Sequence, residues 1–121
     1  MPTDRLYATR EADGVTIVAF RQSQILDAMT IERMSASLKE LIDSSENRRF
    51  IFDFSKVTYL SSSALGMLIG LQRRIAQKGG QLKLTGIQNG IMEVFRITKL
   101  DTVFDIYKDT TAAIEAFRKN L

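Results

Sequence analysis

Two hydrophobic periods alternate along the chain. "RLYATRE" and "GVTIVAFR" read as strands, and Asp13-Gly14 between them is the usual two-residue hairpin signal. Val15 to Phe20 is apolar almost throughout, which predicts a strand covered on both faces. Ile31, Met34, Leu38, Leu41 and Ile42 then recur at helical spacing with Glu32, Arg33, Lys39 and Glu40 between them. That spacing predicts an amphipathic helix of about four turns. "RRFIFDF" is a short continuous apolar run, the pattern of a central parallel strand. After Ser55 the helical period returns. Ala64, Leu68, Leu71 and Ile75 share one face, and Lys78-Gly79-Gly80 marks the stop. "QLKLTG" alternates as a strand, and Asn89-Gly90 opens a helix carrying Ile91, Val94 and Phe95. "TVFDIY" predicts a fifth strand, and Asp109 or Thr110 caps a last helix holding Ala113, Ile114 and Phe117.

The resulting order, β-β-α-β-α-β-α-β-α, predicts an α/β fold with a mixed, mostly parallel sheet, an N-terminal antiparallel hairpin and about four helices. No linker, repeat or low-complexity tract divides the 121 residues, so a single domain over 1–121 is expected.

Composition removes several functions. The chain has no cysteine and no histidine, so thiol chemistry, disulfides, the commonest general base and the commonest transition-metal ligand are all missing. No metal or cofactor is expected, and a conventional enzyme is disfavoured. The net charge of +3 is spread out, with pairs only at Arg48-Arg49 and Arg73-Arg74. Nucleic-acid binders concentrate such charge into a stripe, so no nucleic-acid partner is expected. The polar start "MPTDRLYATREADG" lacks a signal-peptide core, and the longest apolar run, Ala64 to Leu71, is far short of the ~20 residues of a membrane span. A cytoplasmic protein without membrane insertion is the expectation, as monomer or weak homodimer.

Between the third strand and the second helix stand three adjacent serines, Ser61, Ser62 and Ser63. Ser61 is placed to cap the helix, a role that stabilises by about 1 kcal/mol. A hydrolytic nucleophile would need a base, and "SSALG" is not the G-x-S-x-G elbow. Gly66 and Gly70 lie within the helix rather than in a phosphate-binding turn, where their spacing would let the helix approach the sheet closely. A covalently attached phosphate fits the position better. A helix N-terminus tolerates the added charge, and the local surface turns from small and apolar-rimmed to dianionic. The cluster reads as a switchable docking point.

"FDFSKVTYLSSSALGMLIGL" resembles the signature of the STAS domain as found in bacterial anti-sigma factor antagonists. "ILDAMTIERMSASLKELI" resembles that family's segment opening its first helix, and "VFRITKLDTVFDIY" its penultimate segment. The resemblance implies a STAS-type fold and partner switching. An anti-sigma factor serine kinase would bind the unphosphorylated chain and phosphorylate Ser62, with neighbours Ser61 and Ser63 as secondary candidates. A PP2C-type phosphatase would reverse the reaction. It also implies a partner surface containing Ser23, Asp27, Thr58, Ser61 and Ser62. Asp27 is equally readable as the cap of the first helix. Met67 and Ile69 lie off the core-facing line of the second helix and could serve either partner contacts or core filling. Two positions depart from the family pattern: Ser61 stands where aspartate is usual, and Ala64 where glycine is commoner. The missing carboxylate leaves a phosphorylation-free scaffold role open, in stress signalling or lipid transport. A nucleotide-binding module is the remaining alternative.

Overall fold

The computed structural model describes residues 6–119. Strands β1 (Tyr7–Ala12) and β2 (Val15–Phe20) form the expected hairpin, paired from Tyr7 with Phe20 to Ala12 with Val15. Asp13 and Gly14 both take positive φ, 53° and 75°, the backbone of a type I′ turn whose twist matches the flanking strands. There follow β3 (Gln24–Ile25), α1 (Ala28–Ser44), β4 (Arg49–Asp53), β5 (Tyr59–Leu60), α2 (Ser62–Gln77), β6 (Gln81–Thr85) and α3 (Asn89–Ile97). A 3-10 turn (Leu100–Thr102), β7 (Asp105–Tyr107) and α4 (Thr110–Lys119) complete the described chain.

The main sheet has the order β1-β2-β4-β6-β7, with β1 antiparallel and every other neighbour parallel. From β2 onward each crossover advances by one strand in the same direction. Right-handed crossovers therefore place α1, α2 and α3 on one face. The burial pattern agrees: Ile31, Met34, Leu38, Ala64, Leu68, Leu71, Ile91 and Phe95 pack with Val18, Phe20, Phe50, Phe52 and Leu84 in one large core. Because the crossovers never reverse, the sheet lacks the switch-point crevice in which doubly wound folds hold nucleotides.

After the edge strand β7 the chain turns back, and α4 packs on the opposite face. There Ala113 and Phe117 meet Val15, Ile17 and Ile51 in a second, small cluster. The apolar run of β2 is thus explained by two coverings, Val18 and Phe20 on one side, Val15 and Ile17 on the other.

Two local expectations change. The fifth strand begins only at Asp105, because Thr102 belongs to the 3-10 turn and Phe104 is turned into the core against Phe95 at 5.8 Å. Gly66 and Gly70 do not bring α2 close to the sheet. Both are exposed, and a Cβ on either would meet nothing within 4 Å. Lys83, on which the sequence pattern carried no expectation, is buried beneath α4.

Candidate docking and modification site around the serine cluster

Strands β3 and β5 are too short for any hydrophobic period, yet they assemble the site. They pair in parallel, Gln24 with Tyr59 and Ile25 with Leu60, apart from the main sheet. Thr58 ties the start of this pairing, its amide and hydroxyl both donating to the Ser23 carbonyl at 2.7 and 3.0 Å. At the other end the Ser61 amide donates to the Ile25 carbonyl at 3.0 Å. Each short strand then runs into a helix, so the N-termini of α1 and α2 emerge alongside one another.

Both helices are capped by side chains. The Asp27 carboxylate accepts from the Thr30 amide at 2.9 Å and the Thr30 hydroxyl at 3.0 Å. The backbone bond from Thr30 is the chief reason its carboxyl is held below the ordinary carboxylate range. Ser61, half-buried, accepts from the Ala64 amide at 3.1 Å. Ser62 and Ser63 occupy the first turn of α2 with exposed side chains, and neither hydroxyl has a side-chain hydrogen bond among the described residues. The three serines are therefore chemically distinct. One hydroxyl is committed to the helix, and two are open to a reagent.

Ser23, Asp27, Thr58, Ser61 and Ser62 all come together in this corner. Met67 does not join them, since it is buried in the main core and fills space there, while Ile69 packs partly buried against the same core. Sequence reasoning expected an apolar rim here but did not name its residues. Leu26, Met29 and Tyr59 are exposed, at 44%, 65% and 56%, on the segments that carry the caps. A signal was present for Met29, which lies off the Ile31–Met34–Leu38 line of α1. Beside β5, Thr58, Tyr59, Leu60, Leu65, Gly90, Ile91 and Val94 line a mainly apolar cleft of about 160 Å3. Along α2, Gly66 lies one turn beyond Ser62 on the same side and Gly70 one turn further, so this stretch of the exposed face carries only small residues until Arg73. No helix among the described residues is long and apolar enough to cross a membrane.

Comparison with known proteins gives a consistent result. The STAS domain family matches residues 7–113. A candidate anti-sigma factor antagonist of Bordetella bronchiseptica, BtrV, is 27% identical over 109 residues, which is 90% of this chain and 91% of that protein. Among solved structures, a candidate anti-sigma factor antagonist from Thermotoga maritima superposes with a TM-score of 0.83 at 19% identity, covering 93% of this chain and 94% of that one. The anti-sigma factor antagonist SpoIIAA superposes in its unphosphorylated form with a TM-score of 0.69, at 18% identity and covering 93% and 97% of the two chains. Its phosphorylated form, from Bacillus, gives the same TM-score at 14% identity, covering 91% and 98%. At these identities the structural likeness concerns the fold.

Proposed function

The chain belongs to the STAS domain family, and on that premise we propose that it is an anti-sigma factor antagonist switched by phosphorylation of Ser62. In the unphosphorylated form it binds an anti-sigma factor serine kinase in the cytoplasm and so frees a sigma factor. Phosphorylation releases the kinase, and a PP2C-type phosphatase restores the binding form. The protein is a kinase substrate and acts by occupancy rather than by catalysis.

One observation carries this reading: an exposed, uncommitted hydroxyl at the first turn of α2, set among the exposed apolar side chains Leu26, Met29 and Tyr59. Its physical content is a conflict between two states of one surface. Apolar groups favour a partner that excludes water, whereas a phosphate of about −1.5 to −2 charges resists losing its hydration. The fold tolerates both states because the added charge lies at the positive end of the α2 dipole. Ser61 is the poorer acceptor, since modifying it would remove the bond to the Ala64 amide. Ser63 is as exposed as Ser62, and the family motif is what distinguishes them.

The test is phosphate incorporation from ATP in the presence of the cognate kinase, followed by mass spectrometry of the modified peptide. Phosphate on Ser62, lost in Ser62→Ala, is the expected result. Incorporation that persists in Ser62→Ala moves the acceptor to a neighbour. A kinase that binds the chain without modifying it favours the scaffold role, which Ser61 in place of the usual aspartate keeps open.

A further inference from the structure

We propose that α4 is a detachable strap that leaves the sheet as a unit while the α1–α3 layer stays folded, and that buried Lys83 is the residue that keeps it detachable. Only Ala113 and Phe117 of α4 are fully buried, and they belong to a small cluster separate from the main core. A helix of ten residues has little stability of its own, so α4 exists as a helix largely through docking. Ile114 adds a partly buried apolar contact, and the polar ties of α4 are weak. The Arg118–Asp13 ion pair is exposed on both sides, and the Arg49 guanidinium lies 5.6 Å from the centre of the Phe117 ring.

Beside these apolar side chains the docking surface holds a cation under Phe117. The Lys83 side chain is only 5% exposed, pairs with the Asp105 carboxylate, and holds its ammonium 4.9 Å from the centre of the Tyr107 ring. Asp105 and Tyr107 both belong to β7, so these partners remain with Lys83 when α4 departs. Among the described residues, α4 offers the ammonium the Phe117 ring, 4.5 Å away. In exchange, docking strips the ammonium of water. Desolvation of a buried cation outweighs one ring contact, so Lys83 biases the equilibrium toward release. Release uncovers Val15, Ile17 and Ile51 on the face opposite the serine cluster, with none of the main-core contacts broken.

Native-state hydrogen exchange on the full chain tests this. Amides from Ile114 to Arg118 are expected to exchange about a hundredfold or more faster than those of Ile51 and Phe52 in β4, through an opening that depends weakly on denaturant. Lys83→Met keeps the length of the side chain without the charge. It is expected to slow exchange in α4 by about tenfold, or ~1.4 kcal/mol. Phe117→Ala is expected to abolish protection in α4 and leave it in α1 and α2. Equal protection in α4 and β4 overturns the proposal. So does a Lys83→Met protein whose α4 exchanges as fast as wild type or faster, or a Phe117→Ala protein that loses protection throughout.

Discussion

The Ser61 amide donates to the Ile25 carbonyl at 3.0 Å, and this bond aligns the start of α2 with the start of α1. Ser61 is at once the last link of the short parallel pairing and the cap of the helix that follows. Its amide is bonded to β3 while its hydroxyl holds the Ala64 amide. Ser61→Ala removes only the second function. A loss of about 1 kcal/mol is expected, read as a lower midpoint in urea with an unchanged slope. Ser61→Asp should recover that loss, because a carboxylate serves as cap and also complements the helix dipole.

At Ser62 the stability and binding effects should separate. Ser62→Asp adds a negative charge in the first turn of α2, where it is expected to stabilise by about 0.3–1 kcal/mol. The same variant should bind the anti-sigma partner at least tenfold more weakly, a difference of ~1.4 kcal/mol. Denaturation and titration calorimetry on one preparation check both signs. Full-strength binding by Ser62→Asp would remove the switch.

Gly66 and Gly70 make a sharper demand. Exposed glycines within a helix are less favourable than alanine by about 0.8–1 kcal/mol each, and neither position has a neighbour that a methyl group would strike. Gly66→Ala and Gly70→Ala should therefore each raise stability by that amount. If this small-residue face of α2 serves partner docking, Gly66→Ala also weakens binding, since it lies one turn from Ser62. A Gly66→Ala protein that is both more stable and equally tight in binding would place the interface elsewhere.

Acidification should act through two carboxylates. Asp27 is held below its ordinary range chiefly by the Thr30 amide, and Asp43 by the guanidinium of Arg74, which donates to it at 2.8 and 2.6 Å. A carboxyl depressed in the folded state contributes stability that is present above its unfolded value, about 3.9. That stability is lost as pH falls through the folded value. Unfolding free energy measured from about pH 5 downward should fall less steeply in Asp27→Asn than in wild type. Asp43→Asn should flatten the same limb by releasing the α1–α2 clip. Equal slopes in all three proteins would show that these carboxylates do not set the acid limb.

Much of the architecture was legible in local pattern. The helical line Ile31–Met34–Leu38, the Asp13-Gly14 turn and the caps Asp27, Ser61 and Asp109 depend on residues within a few positions of one another. Asp109, for instance, accepts from the Ala112 amide at 2.8 Å. Strands β3 and β5 escaped notice because two residues carry no period, and their pairing is set by where β2 and β4 end. The fifth strand was overextended because Phe104, apolar like a strand residue, is buried by a turn.

By itself the sequence determined the order of the main-sheet strands and the four helices, the caps Asp27, Ser61 and Asp109, and a serine cluster in the motif of the STAS family. Periodicity and capping act over a few residues, so they survive without knowledge of the fold. Tertiary structure alone decided that Met67 faces the core, that Gly66 and Gly70 face water, and that Lys83 lies under α4. Each of these depends on what the chain places opposite that residue. For Lys83 the opposing group is Phe117, 34 positions away and on the other side of an edge strand, a separation that no local period can encode.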